Sequence, residues 1–168
     1  MMLKWMLWIA AVPIAAAALV YLVGALLPRD HVASAEALVP EPLPKVAALV
    51  REVERQPEWR GSVTAIEVLN RRDGGLRYVE RSGGDAITFD FVEERPDRLF
   101  RSRIANPSLP FGGAWTIALS PEGGGTRIRI EERGSVRSPI YRFFSTLVFG
   151  HTATMKAYLA DLRRALER

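Results

Sequence analysis

The sequence predicts an α+β fold: a curved antiparallel sheet covered by one long C-terminal helix, with an apolar helix in front. Three observations carry this. Between Ser62 and Val136, short segments of alternating polarity are separated by the turn strings "RDGG", "SGGD", "RPD", "NPSLPFGG" and "PEGGG". From Phe144 onwards, Leu147, Val148, His151, Met155, Tyr158, Leu159 and Leu162 recur at helical spacing, with Arg142, Lys156, Asp161, Arg163 and Arg164 off that stripe. From Trp5 to Leu27 there is no charged residue.

That first run, at roughly 20 residues, is long enough to span a hydrocarbon layer of ~30 Å as a helix. Trp5, Trp8 and Tyr21 suit interfacial depths, and Pro13 is tolerated in a membrane helix. A cleaved secretory signal is the competing reading, since Lys4 precedes the run and "ASA" at Ala33 to Ala35 resembles a cleavage site. The run is longer than the roughly 7 to 15 residues of a signal core, which favours a retained anchor. The expected division is therefore residues 1–28 as a transmembrane anchor and 29–168 as one folded domain. Lys4 stands on one side of the run and Arg29 and Lys45 on the other, so the positive-inside count nearly balances. The expectation is a single-pass protein with a cytoplasmic N-terminus and an extracytoplasmic domain.

In the remainder, His31 to Val39 alternates as a first strand, ended by the proline-rich Pro40 to Pro44. Lys45 to Val53 has helical spacing at Val46, Leu49, Val50 and Val53, and "RQPEWRG" adds a further turn carrying Trp59. Six strands follow: Ser62 to Asn70, Leu76 to Arg81, Ala86 to Glu94, Arg98 to Ala105, Ala114 to Ser120 and Thr126 to Val136. Short connections make them antiparallel neighbours. Alternation places Ile87, Phe89 and Phe91 on one face, with Phe100, Ser102 and Ile104, with Trp115, Ile117 and Leu119, and with Ile128, Ile130 and Glu132. Glu132 thus points inward unless a bulge near Gly134 reverses it. Ser138 is placed to cap the terminal helix and Pro139 to occupy its first position.

Of the 168 residues none is cysteine, so disulfides and thiolate metal sites are excluded. The net charge of +4 comes from arginines dispersed among carboxylates, as in "REVER", "EERPDR" and "DLRRALER". This is a solvated mixed-charge surface without the dense basic block of a nucleic-acid groove. His31 and His151 are far apart in sequence and lie in no ligand motif, so no metal is expected. "PEGGGT" is a hairpin turn rather than a phosphate loop, because no helix follows it.

The strings "QPEWRGSVTAIEVL", "PFGGAWTIALSPEGGGTRIRIEERG" and "SPIYRFFSTLVFGHTATMKAYLADL", in this order, resemble the START-like superfamily, also called the SRPBCC or polyketide cyclase/dehydrase and lipid-transport group. The resemblance runs from about Asp30 to Leu166. It implies a helix-grip fold, in which a sheet of about seven strands wraps the C-terminal helix and the space between accepts hydrophobic ligands. The superfamily contains carriers, cyclases and quinone-binding proteins, so the resemblance selects no reaction. An anchor sets this chain apart from the soluble members.

The expected function is binding of a hydrophobic or amphipathic small molecule, such as a lipid, isoprenoid, quinone or polyketide-like compound, beside the membrane. No cofactor is expected. The expected lining is Trp59, Phe89, Phe91, Phe100, Trp115, Glu132, Phe144, His151, Met155 and Tyr158, all of which serve equally well as core packing. His151 and Glu132 stand open to three readings: ligand contacts, a clasp between sheet and helix, or the acid and base of a cyclase or dehydratase. A further alternative is an assembly module whose cavity is filled by its own side chains.

Overall fold

The computed structural model describes residues 2–72 and 74–168, with the backbone alone for residues 2–11 and Arg72. The first helix, α1, is Met2–Leu26, and strand β1 is Asp30–Val39. Helix α2 (Leu43–Arg51), a 3₁₀ turn (Val53–Arg55) and α3 (Gln56–Trp59) then carry the chain from one edge of the sheet to the other. From there it meanders back through β2 (Ala65–Arg72), β3 (Gly75–Ser82), β4 (Asp85–Arg95), β5 (Leu99–Ile104), β6 (Phe111–Glu122) and β7 (Gly125–Val136). The sheet order is β1-β7-β6-β5-β4-β3-β2, antiparallel throughout, so the first and last strands of the domain are neighbours.

Each strand agrees with the alternation in its sequence. Ala35 and Val39 of β1, Phe91 of β4, Phe100 of β5, Ile117 and Leu119 of β6 and Ile128 and Ile130 of β7 are buried in one cluster. The opposite face carries cross-strand ion pairs: Arg127 and Arg129 both reach Glu36 at 2.8 Å, and Arg77 and Arg103 share Asp90. Such exposed pairs contribute little individually but leave the dispersed arginines matched with carboxylates. The β6–β7 register runs without interruption from Glu122↔Gly125 to Phe111↔Val136, so no bulge at Gly134 turns Glu132 outward.

The terminal helix differs from expectation. It is three pieces: α4 (Pro139–Phe144), a π-turn (Ser145–Phe149) and α5 (Ala153–Leu166). Ser138 occupies the cap position without a capping hydrogen bond, and Pro139 is first in the helix as expected. Gly150, at φ 71°, is in the left-handed region that ends a helix readily only at glycine. The break resets the helical phase, so the stripe read as continuous is cut in two. Met155, Tyr158, Leu159, Leu162 and Leu166 of α5 are buried, whereas Phe144, Leu147 and Val148 are exposed. Asp161 and Arg142, both expected on the solvent side, are buried. Asp161 accepts a hydrogen bond from the Gly61 amide at 3.0 Å and pins α5 to the turn after α3.

Helix α1 packs against α4 at its C-terminal end. The Gly24 backbone approaches Pro139 so closely that an added Cβ would lie 1.9 Å from the Pro139 carbonyl oxygen. Arg142 donates to the Leu27 carbonyl at 2.8 Å, placing a cation where a helix exposes unpaired carbonyls. Among the described residues no helix is long and apolar enough to cross a membrane. The described side chains of α1 begin only at Val12, and that remainder is shorter than a bilayer requires. The interfacial positions read for Trp5 and Trp8 lie outside the residues whose side chains are described.

The cut stripe makes a paired prediction. Leu159→Ala should lower unfolding free energy by roughly 2 to 5 kcal/mol, the range for a buried leucine. Leu147→Ala should stay within about 0.5 kcal/mol, as surface changes do. Urea unfolding of both variants checks this; equal losses would restore the continuous helix.

Candidate functional site

The concave face of the sheet is not evenly covered. Phe100, Ile128, Ile130, Met155 and Leu162 are fully enclosed, and Phe91 and Tyr158 nearly so. Ile87, Phe89, Ile104 and Trp115, further along the same face, are only half-buried. The chamber expected between sheet and helix is thus occupied by side chains at one end and incompletely closed at the other. Of the residues expected to line it, Phe100 and Met155 belong to the core, and Phe144 is outside, on the exposed side of α4. Clefts of about 210 and 340 Å³ lie elsewhere, around Leu76, Asp90 and Phe91 and around Arg103, Asn106 and Arg137. Neither is lined by Trp115, Glu132, His151 or Tyr158.

At the less covered end the structure assembles a polar cluster. Trp115 and Glu132 are directly paired across β6 and β7, and the Trp115 indole N–H donates to Glu132 Oε2 at 2.7 Å. The other carboxylate oxygen, Oε1, is 3.1 Å from His31 Nε2. His31 reaches it because β1 pairs with β7 in a register that sets His31 opposite Gly134. Its ring fills the place of the missing side chain: a Cβ on Gly134 would lie 2.3 Å from His31 Cε1. On its other side the His31 ring stacks on His151, with centroids 3.7 Å apart and planes inclined by 17°. His151 stands just past the Gly150 break, with Thr146 Oγ1 at 3.4 Å from its Nε2. Glu132 and His151 are therefore on one cluster, as expected, but His31 stands between them.

Burial lowers the pKa of His151 below its ordinary 6.5, and a charge on neighbouring His31 lowers it further, while Glu132 works the other way. His151 is thereby neutral at neutral pH, with a ring nitrogen free to accept a proton. Glu132, held by an indole N–H and an imidazole, is oriented rather than free.

A second polar group lies across the concave face. Arg60, after α3, pairs with Glu80 of β3 at 2.6 Å and with Gln56 at 2.6 Å, and its guanidinium stands 5.4 Å above the Tyr158 ring. Tyr158 is packed edge-on between Trp59 and Trp115, and burial pushes its hydroxyl pKa up to about 12. The Trp59 indole N–H is buried without a partner among the described residues. An unsatisfied buried donor costs about 1 to 3 kcal/mol, which a ligand acceptor or a water relieves.

His31, Arg60 and Glu80 are the site residues that sequence reasoning missed. Glu80 was in inward phase with Leu76 and Tyr78, and His31 with Ala35 and Val39, so the signal was present in the alternation. His31 meets Glu132 through the pairing of β1 with β7, and Arg60 meets Glu80 where the turn after α3 lies beside β3, neither of which a local pattern displays. Among the described residues no group of three or more His, Asp and Glu is arranged to hold a metal.

A family model described as polyketide cyclase / dehydrase and lipid transport matches residues 30–167. The chain belongs to this family. No curated protein matches it in sequence. Among solved structures it is similar to a START superfamily protein from Mycobacterium smegmatis, at 15% identity and TM-score 0.64, over 82% of this chain and 97% of that one. It is similar also to the aromatase/cyclase Zhui from Streptomyces sp. R1128, at 11% identity and TM-score 0.64, over 82% and 96%. The di-domain aromatase/cyclase StfQ of the steffimycin biosynthetic pathway matches at 14% identity and TM-score 0.66, over 82% of this chain and 51% of that one. At such identities the likeness is one of fold. The seven-strand sheet and C-terminal helix of this polyketide cyclase/dehydrase family member are consistent with the helix grip.

The depressed His151 pKa has a consequence for stability. The unfolded chain takes up the proton first, so the contribution of neutral His151 is complete above about 6.5 and is lost as pH falls through the lower folded value. Asp90 and Glu93, held by arginines below their ordinary 3.8 and 4.5, lose theirs in a separate, more acid window. Melting temperature should fall between about pH 7.5 and pH 5.5, and His151→Gln should flatten that slope. An unchanged slope in the variant would place the titration elsewhere.

Proposed function

We propose that this family member binds a hydrophobic or amphipathic small molecule, such as a lipid, isoprenoid, quinone or polyketide-like compound, at the less covered end of the concave face. We place it beside a membrane through α1, as a single-pass protein with an extracytoplasmic domain. The observation that carries the binding reading is the juxtaposition there of half-buried Phe89, Ile104 and Trp115 with the Glu132–His31–His151 cluster. An apolar body laid on the aromatic strip removes area from water at about 25 cal/mol per Å². A carbonyl or hydroxyl on that body finds the imidazoles at one edge and the unpartnered Trp59 N–H near Tyr158. The family's polyketide and lipid substrates have this division into apolar body and polar end.

Support for the membrane reading comes from α1. It carries no charge after Lys4 and is apolar on all sides, and Val12, Ile14, Leu19, Leu22 and Leu26 are exposed. A helix apolar all round, most of whose described side chains its own domain leaves exposed, calls for an apolar surrounding.

A catalytic reading also has a specific observation behind it. A neutral imidazole stacked on a second one, itself bound to an oriented carboxylate whose charge favours the imidazolium, is equipped to take a proton from a carbonyl compound. In that reading His151 is the base and keeps the proton it takes as an imidazolium, while Glu132 holds His31 in place against its ring.

Extraction and native mass spectrometry of the full chain should yield a co-purifying apolar molecule. His151→Ala and Glu132→Gln should weaken its retention while melting temperature changes little. If the cluster is only a clasp, both variants should instead lose about 1 to 3 kcal/mol of stability and lose ligand only by unfolding. If it is catalytic, retention should persist and turnover of a carbonyl-bearing compound should stop. A protein that yields no molecule and binds none of the added lipids or quinones would remove the binding reading.

A further inference from the structure

We propose that Pro139–Phe149, comprising α4 and the π-turn after it, is a second membrane contact: a foot that lies in the lipid interface beside the end of α1 and brings the rim of the binding face down to the bilayer. This rests on the reading of α1 as a membrane helix. Ile140, Tyr141 and Phe144 are exposed, and so, at 55%, 57% and 69%, are Leu147, Val148 and Phe149. The only charged residue of the segment, Arg142, is buried and turned to the Leu27 carbonyl. The exposed surface of the segment is therefore apolar apart from Thr146, with no charge in it. Patches of this kind on a folded domain mark an interaction surface.

Lipid is the occupant that the geometry favours. The patch is continuous with α1, whose own apolar side chains are exposed, because Gly24 lets the α1 backbone close on Pro139 and Arg142 fastens the helix end to α4. A surface so placed, immediately at the end of a membrane helix, is at headgroup depth. Short segments with Phe, Leu and Tyr outward lie in that layer, buried roughly 5 to 10 Å. Arg29, just past the end of α1, accepts from the Val136 amide through its carbonyl and so stands near the start of α4, where a cation suits anionic headgroups. The foot also ends two residues before His151, and Thr146 touches the His151 ring, so an apolar ligand leaving the bilayer here meets the polar cluster directly.

The chain has no cysteine, so a single substitution gives a unique labelling position. Full-length Leu147→Cys, Phe149→Cys, Leu19→Cys and Glu67→Cys, each spin-labelled and reconstituted in vesicles of phosphatidylcholine and phosphatidylglycerol, report collisions with oxygen, which partitions into lipid, and with a water-soluble nickel chelate. Labels at 147, 149 and 19 should collide preferentially with oxygen, and the label at 67, on the remote edge strand, with nickel. Nickel access at 147 and 149 with oxygen access at 19 would overturn the foot and leave the anchor standing. Nickel access at 19 as well would overturn both. Shielding of 147 and 149 from both reagents would mean that protein, a partner or a second copy, covers the patch, and would overturn the lipid assignment.

Discussion

The ladder between β1 and β7, from Asp30↔Ser135 to Val39↔Thr126, joins the beginning of the domain to its last strand, and most of what is functionally interesting is downstream of that pairing. It sets His31 over Gly134, within reach of Glu132. It also presents Ala33, Ala35 and Ala37 to the core, three small side chains that let α5 lie close to the edge of the sheet. Gly125 belongs to the same arrangement: a Cβ there would lie 2.2 Å from the Val39 carbonyl oxygen. A slip of one residue would turn the alanines out and Val32, Ser34 and Glu36 in. The ten-residue length of the strand and the hydrophobic alternation on both partners make that slip costly.

The strands were legible because their period is local. His31 to Val39 and Thr126 to Val136 differ from the observed strands by a single residue at one end, and the inward phase of Glu132 follows from Ile128 and Ile130 alone. The terminal helix was misread for an equally local reason. Apolar residues continue at helical spacing through Gly150, and only a glycine in the left-handed region distinguishes one long helix from two segments with different exposure. His31 next to His151 was invisible, since it requires the edge pairing of β1, the break at Gly150 and the lack of a side chain at Gly134 together. Arg60 over Tyr158 is similar: the cation is local to α3, but its ring partner is nearly a hundred residues away on α5.

Several charged and polar side chains in the interior hold one element against another. Asp161 ties α5 to the Gly61 amide, and Arg60 and Glu80 neutralise one another beside an aromatic face. These groups hold elements in register, consistent with the penalty for leaving any one of them unpaired. The cluster at the open end differs in character. His151 keeps capacity for a further hydrogen bond, and across the concave face the Trp59 donor has no partner among the described residues. Arg142 Nε, at the joint of α1 and α4, is the other buried donor without a partner among the described residues.

The joint between α1 and α4 bears on motion as much as on contact. Only three residues, Leu27 to Arg29, separate α1 from β1, and over that stretch Arg142 grips the helix end from the far end of the domain sequence. A helix attached through a slack linker would let its domain tumble and present any face in turn. Here the attachment has two points, one covalent and one through the guanidinium, and two points leave one axis rather than a cone of directions. Whatever fixes the direction of α1 therefore also aims the sheet.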